Sequence, residues 1–187
     1  MKQHILPAIR LTLVCIVFFC GVYTLAIYGI AQAAPAKGKG EEVTVNNKTV
    51  GYKLIGQSFT QDKYFWGRPS AVGYNAAGSG GSNKGPSNPD YLHDVQSRID
   101  TFLVHNPGIK KEDIPSDLVT ASGSGEDPDI SVEAASIQVK RIAAVRGIDG
   151  TKINALVTAN TEGPLFGLFG TQKVNVLKLN IALDEMK

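Results

Sequence analysis

The chain has 187 residues, with 19 lysines and arginines against 17 aspartates and glutamates, and a formal net charge of +2. Once Lys2 and Arg10 are set aside, basic and acidic residues are equal in number. The composition therefore excludes a nucleic-acid-binding protein, which carries a clustered basic excess, and a protein that binds anionic lipid through a polybasic flank.

An uncharged, mostly apolar run occupies the first part of the chain. No charged residue lies between Arg10 and Lys37. A helix over residues 11–34, rising about 1.5 Å per residue, is long enough to cross a hydrocarbon layer of about 30 Å. Residues 1–10 contain basic but no acidic residues. The positive-inside rule therefore predicts a cytoplasmic N-terminus at 1–10, one transmembrane helix at 11–34 and the rest of the chain outside.

A cleaved signal peptide is the alternative interpretation of this run. Ala31-Gln32-Ala33 has the small residues of a cleavage site. The apolar core of a signal peptide spans only about 7 to 15 residues, so the length of the run favours a retained anchor. Both cysteines, Cys15 and Cys20, lie inside the run, and the domain that follows therefore has no disulfide.

A linker and a hairpin are predicted next. Pro35 ends the helix and glycines loosen residues 35–40, so the soluble domain is expected to occupy residues 41–187. Asn46-Asn47 stands between short valine-rich segments, which predicts a hairpin turn. Residues 64–89 are rich in Gly, Ser, Asn and Pro and show no periodicity, which predicts a long irregular segment.

Three helices and a small sheet complete the predicted α+β domain. The first helix begins at Asn88-Pro89 and ends near Asn106-Pro107; the second runs from Ser131 to a left-handed Gly147. The third carries Ile153, Leu156 and Val157 and ends before Gly163-Pro164. Residues 118–120 are expected to form a short strand, and the alternation of Leu177, Leu179, Ile181 and Leu183 predicts a final strand.

The sequence does not assemble an active site. Gly123-Ser124-Gly125 lacks the third glycine of a dinucleotide fingerprint, because Pro128 stands in its place, and no phosphate-binding P-loop is present. His93 and His105 lie on one helix and are expected to be surface or capping residues. Glu126, Asp127 and Asp129 fit no calcium loop, and we interpret them as a solvated acidic turn before a helix. The sequence therefore predicts no catalytic residue, no metal site and no cofactor of its own.

Four separated motifs together resemble the C subunit of the Kdp-type potassium-transporting P-type ATPase. In chain order they are Tyr64-Phe65-Trp66-Gly67-Arg68-Pro69-Ser70-Ala71, then Tyr74-Asn75 with Ser79-Gly80-Gly81-Ser82-Asn83, then Pro115 with Asp117-Leu118-Val119-Thr120-Ala121-Ser122-Gly123-Ser124-Gly125, and Val174-Asn175-Val176-Leu177 with Leu179-Asn180. The chain departs from the family at Glu126 and Asp129, where leucine and histidine are usual, but it keeps the Asp127-Pro128 turn.

The resemblance implies a non-catalytic, single-pass subunit of an ATP-driven potassium import complex in a bacterial inner membrane. Its partners would be the lipid bilayer, a channel-like potassium-translocating subunit and a subunit that hydrolyses ATP and holds the catalytic residues. The family's C subunit is described as a catalytic chaperone that raises the ATP affinity of the hydrolysing subunit, and as a nucleotide binder. ATP binding is implied only by this description, because the predicted topology places Ser79 to Asn83 outside the cell, away from cytoplasmic ATP.

We expect two sets of residues to form the functional surface. Rigid aromatic residues, adaptable polar groups and one arginine, a composition typical of protein interfaces, predict a partner interface: Tyr64, Phe65, Trp66, Arg68, Ser79, Ser82 and Asn83. A second set forms the turn motif: Ser122, Gly123, Ser124, Gly125 and Asp127. A stand-alone, membrane-anchored or secreted module that binds a small ligand explains these loops equally well, but it leaves the four-motif resemblance unexplained.

Overall fold

The computed structural model describes residues 2–186, which divide after Glu42 into two compact units. The first unit is a continuous helix made of α1 (Lys2–Cys15), a wider π-helical segment (Ile16–Tyr23) and α2 (Thr24–Ala33). Within the described residues, Gln3–Ala33 is the one helix that is long and apolar enough to cross a membrane. The helix begins earlier than the predicted span. Its apolar side chains are exposed, as in a segment whose surface contacts lipid or another protein.

The second unit opens with the predicted hairpin. Strands β1 (Glu42–Val45) and β2 (Lys48–Tyr52) pair with each other. Asn46 and Asn47 both adopt positive φ, at 50° and 61°. A two-residue turn needs this conformation to match the twist of its strands, and asparagine tolerates it. The hairpin prediction is confirmed.

A long irregular segment then leads to the first helix of this unit. Apart from one short helical turn (Ala76–Gly78), residues 64–88 contain no helix or strand. Helix α3 (Pro89–His105) begins where predicted, because the side chain of Asn88 accepts a hydrogen bond from the Tyr91 amide at 3.1 Å. The strand expected at 118–120 is wrong: Ser116–Leu118 forms a helical turn instead, held by local backbone hydrogen bonds.

The region predicted as one helix from Ser131 to Gly147 contains two. Helix α4 (Val132–Ser136) follows strand β3 (Asp129–Ile130), and α5 (Val139–Arg146) ends at Gly147, which is left-handed as predicted, with φ 66°. Helix α6 (Gly150–Ala159) confirms the third predicted helix. Strands β4 (Thr161–Glu162) and β5 (Lys173–Asn175) complete a three-stranded antiparallel sheet of order β3-β5-β4.

The predicted final strand is wrong, because Val176–Glu185 is a helix, α7. Asn175 caps it by accepting a hydrogen bond from the Lys178 amide at 3.1 Å. Its most buried face repeats at helical spacing: Val176, Leu179, Asn180 and Leu183. The alternating apolar residues of this segment therefore fit both a strand pattern and a helical pattern. The segment forms the helix, which places Asn180 on the buried face.

The helices and the sheet enclose one hydrophobic core. Its fully buried members come from the irregular segment, α4, α5, α6, β5 and α7: Phe65, Ala134, Ala135, Ile142, Ile153, Val174, Leu179 and Leu183. The core therefore forms only when the irregular segment, the central helices and α7 come together. The fold is α+β, as predicted, with more helix than the sequence suggested.

Replacing Asn180 with alanine is expected to destabilise this domain by about 2 kcal/mol, because the backbone of Phe65 loses both hydrogen bonds while buried. The side chain of Asn180 accepts from the Phe65 amide at 2.8 Å and donates to the Phe65 carbonyl at 3.0 Å. Asn154→Ala, at an exposed position of α6, is the matched control. Chemical unfolding of the full chain in detergent measures both; equal stability of the two variants would contradict the prediction.

Candidate functional site

The Tyr64–Trp66 part of the predicted interface is held from inside the domain. Phe65 is fully buried, so its side chain belongs to the core and is not available to a partner. Tyr64 is half-buried, and its hydroxyl donates to the carboxylate of Asp184 at 2.9 Å. This hydrogen bond raises the pKa of the Tyr64 hydroxyl above its ordinary value. Together with the two hydrogen bonds between Phe65 and Asn180, this contact fixes Tyr64 and Phe65 to α7.

Trp66 is half-buried and braced from several directions. Its amide donates to the side-chain oxygen of Gln138 at 2.8 Å, and the Gln138 amide group donates back to the Trp66 carbonyl at 3.2 Å. The guanidinium of Arg141 lies 4.4 Å from the centre of the indole ring, and the rings of Phe102 and His105 meet it edge-on. Trp66 thus stabilises the segment in addition to presenting an exposed edge.

Arg141 is the buried charge behind this arrangement. Burial lowers the pKa of its guanidinium to about 10, with the nearby Asp62 carboxylate opposing the shift. It stays charged at neutral pH and donates to three oxygens, at 2.6 to 3.1 Å, in Asp62, Asn106 and Gln138. Gln138 and Arg141 did not stand out in the sequence. A pattern that could have identified them is present in the sequence, because both polar residues stand next to Val139 and Ile142 on an otherwise apolar helix face.

Arg68 connects the two predicted sets of site residues. Its guanidinium donates to the carboxylate of Asp127 at 2.9 Å, and both side chains are about three-quarters buried. The Arg68 carbonyl in turn accepts the hydroxyl of Tyr74, and burial raises the pKa of that hydroxyl. Arg68 is therefore a loop-bracing arginine.

The two glycine-serine motifs pack directly against each other. The carbonyl of Ser124 accepts both the Ser79 hydroxyl at 2.9 Å and the Gly80 amide at 2.8 Å. A Cβ on Gly81 would lie 3.2 Å from the Gly123 carbonyl oxygen, and Gly125 adopts a φ of +72°. Gly81 and Gly125 are needed here because the two backbone segments approach too closely at these positions for a side chain.

We call residues 79–83 and 122–125 together the glycine-serine surface. Ser79, Ser82, Asn83, Gly123 and Ser124 are exposed on it, whereas Ser122 is buried and its amide donates to the Pro69 carbonyl at 3.2 Å. Motifs about 40 residues apart in the sequence therefore form one polar surface. Of the residues predicted for the site, the exposed ones of these two motifs lie together and Arg68, Ser122 and Asp127 support them, whereas Phe65 lies in the core.

The acidic turn is not solvated as expected. Asp127 binds Arg68, and Asp129 binds Lys173 at 2.5 Å. The latter hydrogen bond raises the pKa of the Lys173 ammonium group. A cleft of about 750 Å³ lies beside these ion pairs. Within residues 2–186, no group of three or more histidines, cysteines or acidic residues is arranged to hold a metal ion.

His105 also takes a structural role. Its ring nitrogen Nδ1 lies 2.8 Å from the carboxylate of Asp62, next to Arg141. The imidazole therefore belongs to the network that braces Trp66. The sequence indicated a capping or surface role for His105, and the structure instead gives it this bracing contact.

Comparison with known proteins gives the family. A family model described as KdpC, the c chain of a K⁺-transporting ATPase, matches residues 5–185. The chain is 60% identical over 185 residues to the potassium-transporting ATPase KdpC subunit of Flavobacterium psychrophilum, covering 99% of this chain and 100% of that one. It is 53% identical to the KdpC subunit of Bacteroides fragilis, covering 99% and 98%, and 48% identical to that of Bacillus cereus, covering 99% and 97%.

These matches include the apolar helix, the irregular segment, the glycine-serine surface and α7. They cover the relatives from end to end, so the resemblance seen in four motifs extends to the whole chain. The chain belongs to the KdpC family, the c chain of K⁺-transporting ATPases.

Proposed function

We propose that this chain is a non-catalytic, membrane-anchored subunit of an ATP-driven potassium import complex, and that it stabilises and activates the assembly. The observation that carries the proposal is the end-to-end match to subunits of potassium-transporting ATPases, which includes the apolar helix. The catalytic residues then lie on the subunit that hydrolyses ATP. The helix packs in a bacterial inner membrane, with residues 1–10 in the cytoplasm and the α+β domain outside.

We infer that the glycine-serine surface docks on the external face of the channel-like, potassium-translocating subunit. Its exposed groups are small hydroxyls and amides on a backbone held rigid by the Ser79–Ser124 contacts and by the Arg68–Asp127 ion pair. A rigid surface loses little conformational entropy on binding, which favours specific association.

A nucleotide role for this surface is less well supported by the contacts. A phosphate-binding loop needs free backbone amides that point at the ligand. Here three of the amides in this region, those of Gly80, Gly125 and Glu126, donate to Ser124 and Ser122 and are not free for a ligand. We therefore infer that any effect on ATP affinity reaches the hydrolysing subunit through contact between subunits.

A bulky residue on the surface is expected to weaken the complex without unfolding the domain. Ser82 is exposed, so Ser82→Trp adds volume where a partner would lie and leaves the core unchanged. We expect at least a tenfold loss of the co-purified pump subunits, equivalent to about 1.4 kcal/mol of binding free energy. Ala144→Trp, at an exposed position of α5, is the control. Equal recovery with both variants would contradict docking through this surface.

The proposal as a whole is tested by gentle detergent extraction of the tagged chain from its native membrane, followed by intact-mass analysis. Recovery of the uncleaved chain with a P-type ATPase subunit and a channel-like subunit is the expected result. A lone chain trimmed near Ala33 would overturn both the anchor and the assembly. It would favour the stand-alone ligand-binding module.

A further inference from the structure

A small apolar loop projects from the soluble domain between β4 and β5. We call residues 165–169 the apolar loop. Its four large side chains are among the most exposed outside the membrane helix: Leu165 at 63%, Phe166 at 84%, Leu168 at 80% and Phe169 at 66%. Neither the core nor the glycine-serine surface accounts for these side chains, and their exposure to water is unfavourable.

Four of the five backbone amides of the apolar loop are paired within the turn. The Leu165 amide donates to the Phe169 carbonyl at 2.9 Å, and the Phe169 amide donates back to the Leu165 carbonyl at 3.0 Å. The amides of Gly167 and Leu168 donate to Pro164 and Leu165 at 2.9 and 3.1 Å. Phe166 has a φ of 53°, which is uncommon for a residue other than glycine, and it is held at the tip by these hydrogen bonds. The loop therefore presents its side chains on a closed turn.

The apolar loop and the residues that flank it in the sequence carry no charge. No charged residue lies between Glu162 and Lys173, and no side chain from Pro164 to Gly170 carries a hydrogen-bonding group. Glu162 at its base is neutralised by Lys178, whose ammonium group lies 2.8 Å from the Glu162 carboxylate. Hydrocarbon accepts backbone only where its polar groups are already paired, and it accepts no unpaired charge. The apolar loop carries no charge and pairs four of its five amides, which suits the boundary between headgroups and acyl chains, where the remaining polar groups still meet water.

We propose that the apolar loop inserts into the boundary between headgroups and acyl chains of the bilayer that holds the N-terminal helix. A lipid occupant fits better than a protein because the loop is a convex tip with no polar side chain, whereas protein interfaces combine apolar and hydrogen-bonding groups. Residues 34–41 tether the domain to the membrane helix, so insertion is an intramolecular event and needs little intrinsic affinity. The inference requires the anchor but not the proposed docking on the channel-like subunit.

The test places a fluorescent probe on the loop of the full chain, purified with its accompanying subunits in lipid nanodiscs. Cys15 and Cys20 are first changed to serine, and Leu168→Cys is labelled with an environment-sensitive dye. Ala144→Cys, also exposed but on α5, is the matched control. Lipids spin-labelled in the upper acyl chain are expected to quench the dye at position 168 and leave the dye at position 144 bright. Iodide in the water is expected to do the reverse.

Two outcomes would overturn the inference. Quenching of position 168 by iodide alone would show a loop that remains in water, and protection from both quenchers would show a loop buried against another subunit. The same measurement with the dye at Phe166→Cys is expected to give the same quenching pattern, which shows that the result does not depend on one substitution. Unchanged co-purification and an unchanged unfolding temperature confirm that each labelled chain is folded.

Discussion

Replacing Arg141 with methionine is expected to destabilise the soluble domain by about 3 kcal/mol. Methionine keeps the length of the side chain but donates no hydrogen bond. Asn106 and Gln138, both buried, would each lose a donor at 3.0 and 2.6 Å, and the indole of Trp66 would lose its cation. Because Trp66 sits on this group, the loss also loosens the segment that supports the glycine-serine surface.

The single tryptophan makes this prediction direct to measure, since Trp66 reports on the site itself. Chemical unfolding of the full chain in detergent, followed by tryptophan fluorescence, gives the free energy of unfolding of each variant. Lys140→Met changes an exposed cation on the same helix and is the matched control. We expect the control to stay within about 0.5 kcal/mol of the parent. A similar value for Arg141→Met would show that the buried network contributes little.

Replacing Gly125 with alanine is expected to separate the two glycine-serine motifs. Gly125 has a φ of +72°, and an added Cβ would lie 2.5 Å from a methyl group of Val72 and 2.7 Å from the carbonyl oxygen of Gly80. The left-handed backbone and the overlap together cost about 2 to 4 kcal/mol. Because Gly80 also donates to Ser124, the loops are expected to move apart, and co-purification of the pump subunits should fall with stability.

Gly123 supplies the matched control for this change. It lies two residues away in the same motif, but nothing is within 4 Å of the position where a Cβ would stand. Gly123→Ala should therefore leave the unfolding free energy nearly unchanged. Measuring stability and co-purification for both variants separates the packing of the two loops from the mere loss of a glycine. If the two variants behave alike, the close approach of the loops does not matter for assembly.

The sequence predicted elements that depend on local chemistry better than elements that depend on distant contacts. The Asn46-Asn47 turn, the Asn88 cap and the left-handed Gly147 each need only their neighbours, and each is confirmed. Helix α7 was misread as a strand because its alternating apolar residues hid the helical pattern. That pattern requires Asn180 to be buried, which makes sense only once its partner Phe65, 115 residues earlier, is known.

The same limit applies to the site. The motifs named residues of both loops, but their sequence could not say that Arg68 binds Asp127 across 59 residues or that Gly81 lies against Gly123. Phe65 looked like an interface aromatic because burial cannot be read from one residue. The exposure of the apolar loop cannot be predicted from its sequence, because it depends on what the rest of the domain leaves uncovered.

Helix α7 lies at the end of the described chain and supplies Leu179 and Leu183 to the core, as well as both hydrogen bonds to the backbone of Phe65. Such distant pairings form slowly, because a long segment must close before any contact is gained. Until α7 has been synthesised, the backbone of Phe65 therefore lacks both of these hydrogen bonds and the core lacks two of its fully buried side chains. In the proposed orientation, the domain would reach the far side of the membrane as an extended chain and fold only there, which is the state in which a polypeptide can be threaded across a bilayer.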